Sequence, residues 1–388
     1  MGGNVKNILI VTGEASGDLH GSNLVKELLA IDPLLRVYGV GGKKMREIGV
    51  EIIFDAGELA VVGISEVLRK APSIFKAYKK LKKTLDSDRP DLVLLIDYPG
   101  FNLRFAKEVK KRNIPIVYYI SPQVWAWRMG RSRKIAELVD KMLVIFPFEV
   151  PIYQKYKMDV EYVGHPLMDD FDCRFSKDEI LGNLSLDPEA TTIALIPGSR
   201  CEEITRLLPV MYEAARIIKK KIPHVQFVLP IANTLDVQFV RGFIEDGLVP
   251  VKIVENNFYK VLAISDCAVV ASGTATLEVA CMTVPMVIVY KVSPLTYIIG
   301  KSLVKVDCIS LPNIVAGKKI VPELIQNDAS PERVAKEVLS IFGSENYCEE
   351  MKARLQKVRG VLGKGGASER AANRVYGMLD KGQTMMTA

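Results

Sequence analysis

Three times in this chain an apolar run of the kind that makes a buried strand stops at a turn of small residues and resumes as a helix. Residues 267–270 (Cys-Ala-Val-Val) lead into Ala271-Ser272-Gly273-Thr274-Ala275-Thr276-Leu277-Glu278, and Leu277, Val279, Ala280 and Met282 continue at helical spacing. Residues 7–11 do the same through Thr12-Gly13-Glu14-Ala15-Ser16-Gly17-Asp18, and residues 192–196 through Pro197-Gly198-Ser199-Arg200. Repeated strand–turn–helix units call for parallel sheets covered by helices, an α/β class. Each turn also presents backbone N–H groups at the positive end of a helix dipole, which can hold phosphate without a lysine. In 272–276, Ser272, Thr274 and Thr276 add hydroxyls, while Gly273 and Ala275 let a diphosphate approach the backbone. Glu278 lies one turn further in, where a carboxylate repels phosphate but suits the paired hydroxyls of a ribose. The same residues also make good ordinary caps for a β–α turn.

At 388 residues the chain is long for one core, and two domains are expected. The boundaries read as 1–165, 166–345 and a C-terminal helical stretch, 346–388, packing back across the seam. The seam falls at Gly164-His165-Pro166, where strand character stops and acids such as Asp169 begin. No apolar run reaches the ~18 residues that span a bilayer, and the opening strand is not a signal peptide. Six cysteines without CxxC spacing and three scattered histidines point to reduced thiols and no zinc. Residues 1–165 hold 26 Lys and Arg against 19 Asp and Glu, which accounts for the whole net charge of +7. An anionic partner on that half follows: nucleic acid, a phosphorylated substrate or a membrane.

Within the first half, the turn at 12–18 is no dinucleotide fingerprint, and Ser16 and Gly17 read as part of a substrate-facing loop. Residues 59–83 carry basic side chains beside an apolar stripe, with Pro72 marking a break or restart. That pattern suits either a helix pair in a membrane interface, with Val62, Ile64, Leu68, Phe75, Lys79 and Lys80 in contact, or a sheet-covering helix with a solvated cationic face. Residues 92–96 read as a central strand ending at Asp97, followed by Tyr98-Pro99-Gly100-Phe101-Asn102. Asp97 could take a proton from a hydroxyl or cap the following turn. A strand at 116–120 runs into Ser121-Pro122-Gln123-Val124-Trp125-Ala126-Trp127-Arg128, whose tryptophans would line a pocket or pack in the core. Arg128, Arg131, Arg133 and Lys134 suit an acceptor phosphate. Further strands are expected at 144–148 and 160–163.

In the second half, strands are expected at 192–196, 225–230, 251–254, 267–270 and 284–290. Arg200 can pair bidentately with a phosphate. Residues 311–314 and 321–326 read as loops, and helices follow near 331–343, 345–361 and 367–381.

Taken together, these motifs resemble the lipid-A-disaccharide synthase family: T-G-E-A-S-G-D at 12–18, D-Y-P-G-F-N at 97–102, S-P-Q-V-W-A-W at 121–127, G-H-P at 164–166, P-G-S-R at 197–200, S-G-T-A-T-L-E at 272–278 and L-P-N at 311–313. The resemblance covers nearly the whole chain, in order. It implies two Rossmann-like β/α/β domains facing a cleft, in an inverting, metal-independent glycosyltransferase of the GT-B type. The implied donor is UDP-2,3-diacylglucosamine and the acceptor 2,3-diacylglucosamine 1-phosphate, joined β-1,6 with release of UDP, at an anionic inner-membrane surface on the cytoplasmic side and with no nucleic acid. Asp97 becomes the candidate base and Glu14 the reserve. Gly198, Ser199, Arg200, Ser272, Gly273, Thr274, Ala275 and Thr276 would hold the diphosphate, and Glu278 the ribose. Ser16, Gly17, Gln123, Trp125, Arg128 and His165 fall on the acceptor or cleft side, as do Asn313, Glu323 and Gln326 without individual roles. No cofactor is implied, and a homodimer is compatible with the reading. The alternatives are an enzyme like UDP-N-acetylglucosamine 2-epimerase, or a non-catalytic lipid-binding protein.

Overall fold

The computed structural model describes residues 5–59, 64–127, 130–169, 171, 175–232, 235–244, 249–293, 297 and 308–386, with backbone alone at 64–69, 126–127 and 380–386. Two compact units emerge, one of residues 1–170 and 362–388, the other of residues 171–361.

The first unit carries a seven-stranded parallel sheet. Its strands are β1 (Asn7–Val11), β2 (Arg36–Gly41), β3 (Glu51–Asp55), β4 (Leu92–Ile96), β5 (Ile116–Tyr119), β6 (Lys141–Val144) and β7 (Asp159–Tyr162). Their order is β3-β2-β1-β4-β5-β6-β7. The chain works outward from β1 to β3, then crosses back to start again at β4 on the other side of β1. The second unit repeats this plan with β8 (Thr191–Ile196), β9 (Val225–Ile231), β10 (Val251–Glu255), β11 (Cys267–Ala271), β12 (Met286–Tyr290) and β13 (Glu323–Ile325), in the order β10-β9-β8-β11-β12-β13. A reversal in strand order leaves a crevice at the carboxyl ends of the two central strands, between β1 and β4 and again between β8 and β11.

Central strands are apolar throughout because helices cover both faces. Leu92, Val93, Leu94, Leu95 and Ile96 of β4 are all fully buried, as are Ile8, Leu9, Ile10 and Val11 of β1. Each such side chain contributes about 1.5–3 kcal/mol of burial. In the first unit, helices α1 (Ala15–Ile31), α2 (Lys43–Glu47), α3 (Ile64–Ser87) and α4 (Pro99–Lys110) fill the crossovers between β1 and β5.

The sequence expectation for 346–388 as one set is corrected at Leu362. The helix Glu345–Leu362 ends the second unit, whereas the helix Ala367–Met386 lies in the first and packs on α1. Asp169 explains the return, since its carboxylate accepts from Ala367 N at 2.7 Å and Ser368 N at 2.8 Å and so caps that helix. Arg370 Nε donates to Val163 O at 2.8 Å, and Arg374 pairs with Glu161 at 2.7 Å.

Four other expectations need correction. Pro72 does not break α3, which runs through it as one helix. The strand expected at 144–148 lies earlier, as β6, because Pro147 cannot donate to a ladder and instead opens a short 3₁₀ turn. Lys141 begins β6, and its buried ammonium is paired with Asp159 at 2.9 Å on the adjacent β7. Residues 311–316 form a helix with Pro312 in its first turn, and 323–325 form β13, paired with β12.

Candidate active site

In the first unit the turns after β1 and β4 meet at the strand-order reversal. Gly13 has no side chain because the Tyr98 ring lies on it; a Cβ there would come within 2.2 Å of that ring. Tyr98 also donates its hydroxyl to Leu59 O at 2.9 Å, and its ring stacks on Phe101 with centroids 5.8 Å apart. Glu14 and Asp97 are thereby placed on either side of the crevice, and Glu14's charge acts on Asp97. Burial first, and Glu14 second, push the Asp97 carboxyl up to about 6.

The backbone at Asp97 is unusual. Asp97 and Tyr98 have φ values of 43° and 47°, two successive non-glycine residues in the left-handed region. Such residues cost of order 1–3 kcal/mol each unless their surroundings hold them. Here the fully buried Asn102 does so, its Nδ2 donating to Asp97 O at 2.8 Å and Ile96 O at 3.1 Å. The Tyr118 hydroxyl donates to the same Asp97 carbonyl. In the sequence only the position of Asn102, one turn into α4 and five residues after Asp97, points to this role.

Asp18 explains why the 12–18 turn ends in an acid. Its carboxylate accepts from Gly42 N at 2.7 Å, Lys44 N at 3.0 Å and Met45 N at 3.2 Å, capping α2. Gly17 is buried against Thr12, whereas Ser16 is exposed on the first turn of α1.

A cavity of about 360 Å³ opens beside Asp97 and is lined by Gln123 among others. Trp125 stands behind its wall, donating Nε1 to Glu149 Oε1 at 3.2 Å. Glu149 lines the cavity, is 1% exposed, and is pushed up to about 8 by burial. Sequence reasoning missed it, since a lone acid after Phe-Pro-Phe carries no pattern. His165 is buried against Phe146, with ring centroids 5.2 Å apart. Burial, with His20's charge adding to it, drops His165 to about 3; its Nδ1 accepts from Leu167 N at 3.1 Å. Neutral and turned to its own backbone, His165 braces the end of β7. Val62 and Arg128 lie outside the described residues, and Ile64 and Leu68 belong to the backbone-only part of α3.

In the second unit the turns after β8 and β11 occupy the corresponding place. Ser199 and Arg200 are exposed before the helix Cys201–Lys221, and Gly198 takes φ 116°. Glu203 closes over this turn, accepting from Ser199 N at 3.0 Å and pairing with Arg200 at 3.2 Å. On the neighbouring turn Gly273 and Thr274 are exposed, Ser272 and Ala275 partly so, and the space in front of Gly273 is open. Thr276 departs from its expected use: it is fully buried and its hydroxyl donates to Gly273 O at 2.6 Å, within the turn itself. The Glu278 carboxyl accepts from Tyr259 at 2.8 Å, and burial raises its pKa.

Asn313, Glu323 and Gln326 are scaffold. Asn313 is fully buried; it accepts from Ile320 N at 2.7 Å and Val321 N at 3.0 Å, and donates to Glu323 at 2.8 Å. Glu323 also accepts from Ser310 N at 2.9 Å and Ile309 N at 3.1 Å. Gln326 is joined to the Val292 backbone through both amide atoms, at 2.7 and 3.1 Å. Their polar atoms are spent on holding the chain after β12 and the helix Leu311–Ala316 in place.

On α3, Phe75 is 69% exposed and Lys79 is exposed, while Ala77, Leu81 and Leu85 are buried. Lys80 is exposed as well, its ammonium donating to Ile53 O at 2.6 Å. Among the described residues no cluster of His, Cys, Asp and Glu could hold a metal ion, and no helix is long and apolar enough to cross a membrane.

The family model for lipid-A-disaccharide synthetase matches residues 8–373. The chain is 49% identical to a lipid-A-disaccharide synthase of Geobacter metallireducens over 377 residues, 97% of this chain and 98% of that one. It is 44% identical to one from Coxiella burnetii, over 96% of this chain and 99% of that one. Among solved structures it is similar in fold to a UDP-GlcNAc 2-epimerase from Neisseria meningitidis bound to UDP-GlcNAc (TM-score 0.66, 14% identity, 95% of this chain and 99% of that one). It is likewise similar to the calicheamicin glycosyltransferase CalG4 (TM-score 0.62, 15% identity, 97% and 98%).

Proposed function

The chain belongs to the lipid-A-disaccharide synthase family, and from that premise we propose how its two units divide the reaction. It is a glycosyltransferase that forms the lipid A disaccharide. The donor is a UDP-sugar, UDP-2,3-diacylglucosamine, and the acceptor is lipid X, 2,3-diacylglucosamine 1-phosphate.

On this reading the second unit takes the nucleotide. Arg200 and the exposed turns at 198–200 and 272–275 hold the diphosphate, and Glu278, partnered by Tyr259, meets the ribose. The first unit takes the acceptor. Its 6-hydroxyl oxygen attacks the anomeric carbon of the donor as the bond to the diphosphate breaks, and the hydroxyl proton passes to Asp97. UDP leaves with its charge offset by Arg200 and the turn N–H groups, without a metal ion. A positioned base is typically worth ~10²–10⁴ in rate.

The observation that carries the reading is Asp97 itself: a carboxylate at the strand-order reversal, raised to about 6, held in a strained backbone and bordering a cavity. A carboxyl tuned near neutrality is what a general base needs. Glu14 is the second candidate, and its charge helps to raise Asp97. We place the protein on the cytoplasmic face of the inner membrane, with Phe75 and Lys79 toward the lipid. The deciding assay is UDP release from the donor with and without lipid X, in the wild type and in Asp97→Asn. Acceptor-dependent release that persists in Asp97→Asn would remove Asp97 from the base role.

A further inference from the structure

The cavity beside Asp97 is lined mainly by apolar side chains. Its walls are Leu103 on α4, Ile120 and Val124 after β5, Ile135, and Ile145 and Phe146 after β6. Ile135, Ile145 and Phe146 are at most 8% exposed in the folded chain. Gln123 and Arg131, both exposed, mark its open side, and Asp97 borders it. Glu149, the other carboxyl in the wall, is turned to Trp125 and to Phe146 N at 3.2 Å.

The cavity is open to solvent on the side of Gln123 and Arg131, so a ligand can enter its volume of about 360 Å³. Asp97, Ser121, Gln123, Arg131 and Glu149 bring polar groups to it, but Pro99, Pro122 and the aliphatic and aromatic side chains named above make most of its wall apolar. The volume is at the low end of the roughly 300–1,000 Å³ typical of small-molecule sites, room for one hydrocarbon chain and not for two.

We infer that this cavity seats one acyl chain of the acceptor while the acceptor hydroxyl lies at Asp97, and that Leu103, Ile135 and Ile145 limit the length of that chain. The inference rests on the reading of Asp97 as the acceptor-side base. The phosphate at the other end of the acceptor would meet Arg131 on the open side. Burying one methylene is worth about fourfold in affinity, so each carbon that fits should raise kcat/KM by about that factor until the wall is reached.

The test uses the full-length enzyme and a series of synthetic acceptors differing only in acyl length. Leu103 is the wall residue to change, because it is only partly buried and packs at the edge of the core, unlike the buried Ile135 and Ile145. In the wild type, kcat/KM should climb about fourfold per methylene and then level or fall. Leu103→Trp should move that limit to shorter chains and lower kcat/KM for the longest acceptors by tenfold or more. Leu103→Ala should move it to longer chains, and it keeps the test alive should the tryptophan variant fold poorly. UDP affinity and melting temperature should be those of the wild type in both. A length profile identical in all three proteins would overturn the inference while leaving Asp97's role standing. If no acceptor of any length releases UDP from the wild type, the acceptor-side reading falls and the inference with it.

Discussion

The Asn102 side-chain amide donates to the carbonyl oxygen of Asp97 at 2.8 Å, across one turn of chain in which Asp97 and Tyr98 both adopt left-handed backbone angles. The Asp97 carboxyl, the proposed base, is therefore held in place through its own backbone carbonyl. Asn102→Ala should free that carbonyl and let the segment relax, so kcat should fall at least tenfold with UDP affinity unchanged. The pH–rate profile should also move, because a relaxed Asp97 is less buried and its apparent pKa drops toward the ordinary carboxylate value. A loss of kcat with an unmoved pH profile would make Asn102 a stability residue only.

With Asp97 as the proposed base, its carboxyl should set the acid limb of activity. As a base it works ionised, so kcat/KM should rise with pH and level off above about 6. Its effect on stability has the opposite sign. A carboxyl whose folded pKa is raised favours folding below its unfolded pKa, and that contribution is lost as pH climbs through about 6. Over this window Asp97→Asn should flatten both the rate profile and part of the stability loss. A rate profile without an inflection between pH 5 and 7 would count against Asp97.

Arg200 forms an ion pair with Glu203 that a bound diphosphate would have to share. Arg200→Ala should weaken UDP binding and lower kcat together, each by about 1.5–3 kcal/mol if the charge-assisted bonds are lost. Unchanged UDP affinity by calorimetry would show that Arg200 does not reach the diphosphate. Added EDTA should leave turnover intact; activity lost to EDTA and restored by magnesium would refute the metal-free scheme.

Asn313 should behave as scaffold. Asn313→Ala strands the Ile320 and Val321 N–H groups and one partner of Glu323, each unsatisfied buried group costing about 1–3 kcal/mol. The melting temperature should fall by several degrees, while UDP affinity of the folded fraction holds. A change in affinity with a normal melt would reverse that assignment.

Phe75 and Lys79 are exposed on α3 and are the side chains proposed to meet lipid. Phe75→Ser with Lys79→Ser should reduce sedimentation with anionic vesicles, the lysine part, about 1 kcal/mol, fading as salt rises. The thermal melt should not move, because neither side chain is buried. Undiminished vesicle binding would end the claim for this surface.

Most of the architecture could be read from residue order. β1, β4, β5, β8 and β11 are apolar runs because a parallel strand is buried on both faces, and their turns are small because a helix must start at once. The motifs at 12–18, 97–102, 197–200 and 272–278 were legible for the same reason. Edge and mixed pieces were not. β3 is only partly buried, β6 opens on a lysine neutralised by Asp159 across the sheet, and β13 is three residues long. Which turns meet was decided by tertiary structure alone. Strand order sets β1 beside β4 and β8 beside β11, bringing together Glu14 and Asp97 from 83 positions apart in the chain, and Arg200 and Gly273 from 73 apart. Burial then determined what each polar residue does. It raised the pKa of Asp97 and of Glu149, turned His165 to its own backbone and tied Asn313, Glu323 and Gln326 into hydrogen bonds with their neighbours. A residue's type and spacing determine what it is able to do, whereas its desolvation and its partners, which only the folded chain supplies, determine what it does.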